Sequence, residues 1–166
     1  MARQLWLLRH AEAEPHGVRE DSQRRLTERG ARQARAAGVA LKLLDGDFQT
    51  VLFSPKVRAR QTAELAAESW SAEQRERLTV HPPLAGDFSA AQALDAIAGL
   101  AADGRVLMVG HEPDLSRLLG DLTGARADVK KGGIAVVRLE AARGELVVLM
   151  RPRELALIAR VPLGGD

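Results

Sequence analysis

The chain has 166 residues, a length typical of one domain with its own hydrophobic core. Its composition is that of a soluble globular protein, and the absence of cysteine excludes disulfides, thiolate metal sites and thiol catalysis. The 24 basic and 22 acidic residues are interspersed, without the basic block that indicates nucleic-acid binding. No apolar run reaches the roughly 18 residues of a membrane helix, and the first residues do not resemble a signal sequence. We therefore expect a single cytoplasmic domain over 1–166, with neither nucleic acid nor membrane as a partner.

Short apolar segments alternate with helical patterns along most of the chain. Buried strands are predicted at 4–8, 50–53, 78–81 and 105–109. Helices are predicted from Thr27, after Ser54 as an N-cap, from Ser89 with a capping box, and after Pro113. The tail differs, because 134–139 and 146–150 flank a turn-like 142–145 and predict a hairpin. This order predicts an α/β three-layer sandwich, with a mostly parallel central sheet and helices on both faces.

Three of the predicted strands end in residues that could bind an anion. Arg9 and His10 follow the first strand, Arg58 comes shortly after the second, and His111 follows the fourth. Each residue alone has an ordinary explanation, such as a histidine hydrogen-bonded at a strand end or an arginine on a solvated helix face. Ligands of parallel α/β folds bind beyond the carboxyl ends of the strands. The four residues together therefore predict a binding site at that edge of the sheet.

These residue types suit the transfer of a phosphoryl group. Two guanidinium groups can neutralise a phosphate and hold it for in-line attack. One imidazole can attack phosphorus to form a phosphoramidate, which water later hydrolyses. We expect the second histidine to be protonated and to donate hydrogen bonds to the equatorial oxygens. This chemistry requires neither a metal nor a cofactor.

Four segments occur in an order that resembles the histidine phosphatase superfamily. They are RHAEAE at 9–14, DSQRRLT at 21–27, SPKVRARQTA at 54–63 and VGHEP at 109–113. The first is similar to the RHG signature, with alanine in place of glycine, in the form that SixA-type phosphohistidine phosphatases show. The second departs from their R-P-L-T pattern, because Arg25 stands where proline is expected. The ordered set resembles the phosphoglycerate mutase-like fold family and its SixA-type members.

The resemblance implies a role for each matching residue. His10 would be the phosphorylated nucleophile, Arg9 and Arg58 would clamp the phosphate, and His111 would be the second active-site histidine. Arg24 would be an additional phosphate contact. Three further residues are expected to shape and cap the helix that carries Arg58 rather than to touch substrate: Ser54, Gln61 and Thr62.

The proton donor decides the class of substrate. Relatives that cleave phosphate esters use an acidic residue after the third strand, where Asp87 is the nearby carboxylate; Glu12 and Glu14 are alternatives, or ordinary loop residues. A protonated phosphohistidine imidazole leaves readily without a strong acid, whereas an alkoxide does not. The sequence offers no strong candidate for a proton donor, and the chain is too short for long insertions over the site. Both points favour a phosphohistidine on another protein as the substrate. By resemblance, that partner could be a histidine-containing phosphotransfer domain.

Three other functions stay open from the sequence. The chain could be a small-molecule phosphomonoesterase of the same superfamily, with Asp87 or a water as the acid. It could be a module that binds a phosphorylated partner without turnover, although the intact His10 and His111 argue against this. A metal hydrolase is the weakest alternative, because no two of the four histidines (His16 and His81 are the others) have the spacing of helical metal ligands.

Overall fold

The chain forms a six-stranded mixed sheet in the computed structural model, which describes residues 2–164. The strands are Arg3–Arg9 (β1), Thr50–Phe53 (β2), Leu78–Val80 (β3), Arg105–Gly110 (β4), Ile134–Glu140 (β5) and Arg143–Met150 (β6). Their order in the sheet is β3-β2-β4-β1-β5-β6. The first four run parallel, and β5 and β6 form an antiparallel hairpin beside β1. The predicted mostly parallel sheet and its terminal hairpin are confirmed.

Helices cover both faces of this sheet, as predicted. They are Glu28–Leu43 (α1), Val57–Ala67 (α2), Ala72–Glu76 (α3), Ala90–Ile97 (α4), Asp114–Thr123 (α5) and Pro152–Ala159 (α6). Successive side chains of a strand point to opposite faces. Leu5 and Leu7 of β1 accordingly belong to the core beneath α4 and α5, and Trp6 and Leu8 to the core beneath α1, α2 and α6. Within residues 2–164, no helix has both the length and the apolar character needed to span a bilayer.

The close packing of α1 on α2 fixes the helix that carries Arg58. A Cβ atom added to Gly38 of α1 would lie 1.9 Å from the carbonyl oxygen of Ala66 in α2. The indole of Trp70 also donates a 2.9 Å hydrogen bond to the Gly38 carbonyl. Only glycine permits this approach, because any side chain would overlap the neighbouring backbone. The position of Arg58 therefore depends on a contact between two backbones.

Several predicted helix and turn boundaries change in the structure. Thr27 caps α1 by accepting from the Gly30 amide at 3.0 Å, and Ser89 forms the expected capping box. The prediction that Ser54 is an N-cap is wrong, because α2 begins at Val57 and the Ser54 hydroxyl lies among the histidines. The turn of the hairpin is shorter than 142–145, since β6 begins at Arg143. Helices α3 and α6 were not predicted.

Candidate active site

The two histidines meet because they follow neighbouring parallel strands. His10 comes directly after β1 and His111 directly after β4, and these strands pair from Gln4 to Arg9. The His10 amide donates a 3.0 Å hydrogen bond to the carbonyl of Gly110, which extends the pairing beyond the strand. The two imidazole centroids lie 5.1 Å apart. The structure thus brings together the two histidines that the sequence placed at strand ends.

His10 is held in one tautomer by its own loop. Its Nδ1 lies 2.8 Å from the Ala11 carbonyl oxygen, which can only accept, so Nδ1 carries the hydrogen and Nε2 keeps its lone pair. The Ala11 amide in turn donates to the Thr62 hydroxyl at 3.1 Å, and that hydroxyl donates to the Arg58 carbonyl at 2.6 Å. The loop is therefore fastened to α2. Nε2 is left as the nucleophilic atom of the ring.

The charge state of His10 suits attack on phosphorus. The side chain is 6% exposed, and burial lowers its pKa to about 3 although the bond to Ala11 opposes the shift. The positive charges of Arg58, Arg9 and Lys131 act in the same direction as burial. The imidazole is therefore neutral near neutral pH, as a nucleophile must be.

His111 is oriented by a serine that the sequence assigned to a helix cap. Its Nε2 lies 2.7 Å from the Ser54 hydroxyl oxygen, which also accepts from the Lys56 amide at 3.2 Å. Burial and the neighbouring His10 and Arg58 lower the pKa of His111 to about 3. The hydrogen bond between His111 Nε2 and the Ser54 hydroxyl fits either neutral tautomer of the ring, because a hydroxyl both donates and accepts. In the protein without a phosphoryl group this lowered pKa makes the ring neutral, in contrast to the protonated form that was expected to donate to a bound phosphate.

Three buried side-chain nitrogens of this region have no hydrogen-bond partner among residues 2–164. They are Nε of Arg9, Nε of Arg58 and Nδ1 of His111. Arg9 ends β1 and is held by a 3.0 Å bond from its Nη1 to the Val129 carbonyl; Arg58 is 4% exposed. Buried donors without acceptors are rare and costly, and they mark places where an anion or water completes the hydrogen bonding. These nitrogens lie near neutral His10, and the two guanidinium groups among them are suited to bind an anion.

Arg24 joins the cluster through Asp21, which sequence reasoning missed. Arg24 Nε donates to Asp21 Oδ1 at 3.0 Å, and Arg58 Nη2 donates to Asp21 Oδ2 at 3.2 Å. Lys56, also missed, donates to Oδ2 at 3.3 Å. Burial raises the Asp21 pKa, but the surrounding cations outweigh it and hold that pKa well below its usual range. The spacing of Asp21 three residues before Arg24, within the segment that resembled the family, was the available signal.

The other two helix residues singled out from the sequence also position the site. Gln61 Oε1 accepts from the Leu26 amide at 2.8 Å, which ties the loop of Arg24 to α2. Thr62 is fully buried and holds Ala11 as described above. Both therefore connect the loops that carry His10 and Arg24 to the helix that carries Arg58.

Asp87 is not brought together with the histidines. Its backbone has a φ of 54°, its side chain is fully exposed, and its carboxylate lies 4.0 Å from Arg117. Within residues 2–164, no hydrogen bond or ion pair connects it to His10 or His111. Glu14 pairs with Arg19 at 2.8 Å, and Glu12 accepts from the Thr27 hydroxyl at 2.9 Å.

Comparison with known proteins agrees with this geometry. Residues 5–80 match the sequence profile of the histidine phosphatase superfamily (branch 1). An uncharacterized protein of Picosynechococcus sp. (strain ATCC 27264 / PCC 7002 / PR-6) is 31% identical over 92% of this chain and 98% of its own length. The structure of the protein histidine phosphatase SixA complexed with tungstate superposes with a TM-score of 0.77 at 26% identity, covering 92% of this chain and 99% of that one.

This chain belongs to the histidine phosphatase superfamily. Membership identifies it as a phosphatase, and its likeness to SixA supports the SixA-type resemblance. The superfamily profile includes His10, Arg24 and Arg58, whereas His111 lies beyond the matched segment and reaches the site through β4. The alpha-ribazole phosphatase from Shigella flexneri shares the superfamily fold, with a TM-score of 0.64 at 21% identity over 90% of this chain and 96% of that one.

Proposed function

We propose that this protein removes phosphate from phosphohistidine on a protein, through a phosphohistidine intermediate at His10 and without a metal. The observation that carries the proposal is the neutral His10, with its Nε2 lone pair free beside the three buried nitrogens that have no hydrogen-bond partner among residues 2–164. Arg9, Arg58 and Arg24 supply the positive charge that binds the phosphoryl group, and His111 donates from Nδ1.

The reaction proceeds in two displacements. His10 Nε2 attacks phosphorus while the bond from phosphorus to the substrate imidazole nitrogen breaks, and the electron pair of that bond leaves with the imidazole. A water then attacks the phosphorus on His10; the P–Nε2 bond breaks, its electron pair returns to Nε2, and dihydrogen phosphate departs with the oxygen and the protons of the water. His111 Nδ1 and the arginine donors stabilise the equatorial oxygens in both steps. In this mechanism His111 is the tautomer with its hydrogen on Nδ1, and the Ser54 hydroxyl donates to Nε2, a direction that their 2.7 Å contact permits.

The nature of the leaving group supports a phosphohistidine substrate. No carboxylate among residues 2–164 is hydrogen-bonded to His10 or His111, and the exposed Asp87 carboxylate lies beside Arg117. A substrate imidazole protonated at its second nitrogen departs as a neutral ring and needs little acid assistance, unlike an alkoxide. The connection from β3 to α4 spans only 81–89, too few residues for a large lid over the site. We propose that a folded partner, such as a histidine-containing phosphotransfer domain, presents its phosphohistidine at this edge of the sheet.

The shared fold of the alpha-ribazole phosphatase from Shigella flexneri supports a second candidate, a small-molecule phosphomonoesterase. Turnover of a phosphohistidine protein and of several phosphate esters separates the two, measured for the wild type and for Asp87→Asn. We expect the phosphohistidine protein to be preferred and Asp87→Asn to retain wild-type rates. Dominant ester hydrolysis that collapses in Asp87→Asn would favour the phosphomonoesterase.

The intermediate is tested by trapping it. Rapid acid-free quenching after exposure to a phosphodonor should leave acid-labile phosphate on the wild type and none on His10→Ala. Arg58→Ala should form the phosphoenzyme more slowly, by about a hundredfold or more, because a buried guanidinium donor is lost. Full turnover by His10→Ala would refute the mechanism. Tight phosphate binding without any phosphoenzyme in the wild type would instead favour a binding module.

A further inference from the structure

Asp21 contacts Arg24 and Arg58, two of the cations that the proposed function assigns to the phosphoryl group, and the neighbouring Lys56. Its Oδ1 accepts a 3.0 Å hydrogen bond from Nε of Arg24 and lies 3.0 Å from Nη2 of the same guanidinium. Its Oδ2 accepts from Nη2 of Arg58 at 3.2 Å and from Nζ of Lys56 at 3.3 Å. Its backbone carbonyl accepts a further 2.7 Å bond from Nη1 of Arg58. One carboxylate thus holds the charged ends of three cationic side chains.

The exposure of these side chains shows on which side of the guanidinium groups the carboxylate lies. Arg24 and Arg58 are 7% and 4% exposed, whereas the Asp21 side chain is 45% exposed. Asp21 therefore lies on the solvent side of two buried guanidinium groups, and it belongs to a short turn, Asp21–Gln23, in the irregular segment between β1 and α1. A group arriving from solvent meets the carboxylate before it can use all the donors of those arginines.

The charge of Asp21 also reaches the centre of the site. Asp21 raises the pKa of His111, against the larger effects of burial and of the nearby cations. Arg58 uses Nη1 and Nη2 for Asp21, while its Nε has no acceptor among residues 2–164. A phosphoryl group bound at His10 through that Nε would therefore share one guanidinium with a carboxylate. Two anions on one guanidinium repel each other, and the repulsion is strong where water is largely excluded.

We propose that Asp21 is a built-in counter-ion that competes with the phosphoryl group for Arg24, Lys56 and Arg58. The inference rests on the proposed function, because it places the phosphoryl group at His10. The carboxylate is hydrogen-bonded to the cations in the free enzyme. It moves away from at least one of them when the phosphoryl group binds, and it re-forms the bond as inorganic phosphate leaves. Without it, three cations around a dianion would retain the product tightly. Asp21 thereby lowers affinity for product and speeds its release.

Binding of inorganic phosphate to Asp21→Asn tests the proposal by calorimetry, without turnover. Asparagine keeps the size of the side chain and one acceptor oxygen but removes the charge. We expect the Kd for phosphate to fall at least about fivefold, and the gain to shrink as salt is added. Glu20→Gln is the matched control, since it removes a carboxylate one residue earlier whose partner is the Ser22 hydroxyl at 3.1 Å. Its Kd should stay within about twofold of the wild type.

An unchanged or higher Kd in Asp21→Asn would overturn the proposal and make Asp21 a positioning residue. A wild-type crystal structure with phosphate bound provides a second test that does not depend on how the variant folds. We expect at least one of the bonds from Asp21 Oδ2 to Arg58 and Lys56 to be broken there, and their full retention would overturn the exchange. Both tests measure binding of phosphate, so a protein that fails to hydrolyse phosphohistidine can still pass them.

Discussion

Acidification should destabilise the fold through the two active-site histidines. The pKa of His10 and that of His111 are each lowered to about 3, from an ordinary value near 6.5. In the unfolded chain both histidines are protonated below about pH 6.5, whereas in the folded protein they stay neutral down to about pH 3. The free energy of unfolding therefore decreases as the pH falls from about 6.5 toward 3. At pH 5, about 1.5 units below the unfolded pKa, each histidine lowers the free energy of unfolding by about 1.5 times 1.36 kcal/mol, or about 2 kcal/mol. The two histidines together lower the free energy of unfolding by about 4 kcal/mol between about pH 7.5 and pH 5.

Urea unfolding at a series of pH values measures this loss, with the fluorescence of the two buried tryptophans as the signal. His10→Asn and His111→Asn should each lose about 2 kcal/mol less than the wild type over the same range. His81, whose pKa burial also lowers, adds to the slope in every variant and does not affect the difference. His16→Asn removes an exposed imidazole and controls for the loss of a histidine as such. A pH slope in His10→Asn equal to that of the wild type would refute the reasoning.

Two further substitutions probe how the site is held. Ser54→Ala removes the hydroxyl that is hydrogen-bonded to His111 Nε2, so kcat should fall about tenfold to a hundredfold; an unchanged kcat would show that Ser54 does not orient His111 for the reaction. Gly38→Ala should destabilise the protein by about 3 kcal/mol or more, because the new methyl group overlaps the Ala66 carbonyl oxygen. Gly99→Ala is the control: its methyl group has no atom within 4 Å, so stability should change by about 0.5 kcal/mol or less. Thermal melts of the two glycine variants decide this, and equal melting temperatures would contradict it.

The parts of the site that follow from strand ends could be predicted from the sequence. Arg9, His10 and His111 each come directly after or at the end of an apolar run, and parallel strands place their carboxyl ends at one edge. The α/β sandwich followed from the same alternation of patterns. Neither conclusion required knowledge of side-chain contacts, because topology alone brings these residues together.

The contacts within irregular segments could not be predicted in this way. Asp21 lies in a stretch without hydrophobic periodicity, and its role depends on the cations that three separate segments direct toward it. Ser54 was misassigned because a serine before a proline is equally typical of a helix cap and of a turn. The neutral state of His111 results from burial, which depends on packing and not on neighbours in the sequence.

The pairing of β1 with β4 sets the distance between the two histidines. Since one histidine follows each strand and the His10 amide still bonds to Gly110, their separation is close to the spacing of adjacent strands, about 4.8 Å. That spacing is common to all sheets and does not respond to changes in surface loops. Evolution can therefore lengthen 81–89 or remodel 12–27 to admit a new leaving group while the nucleophile and its partner stay in register. A scaffold of this type separates the chemistry at phosphorus from the choice of what the phosphorus is attached to.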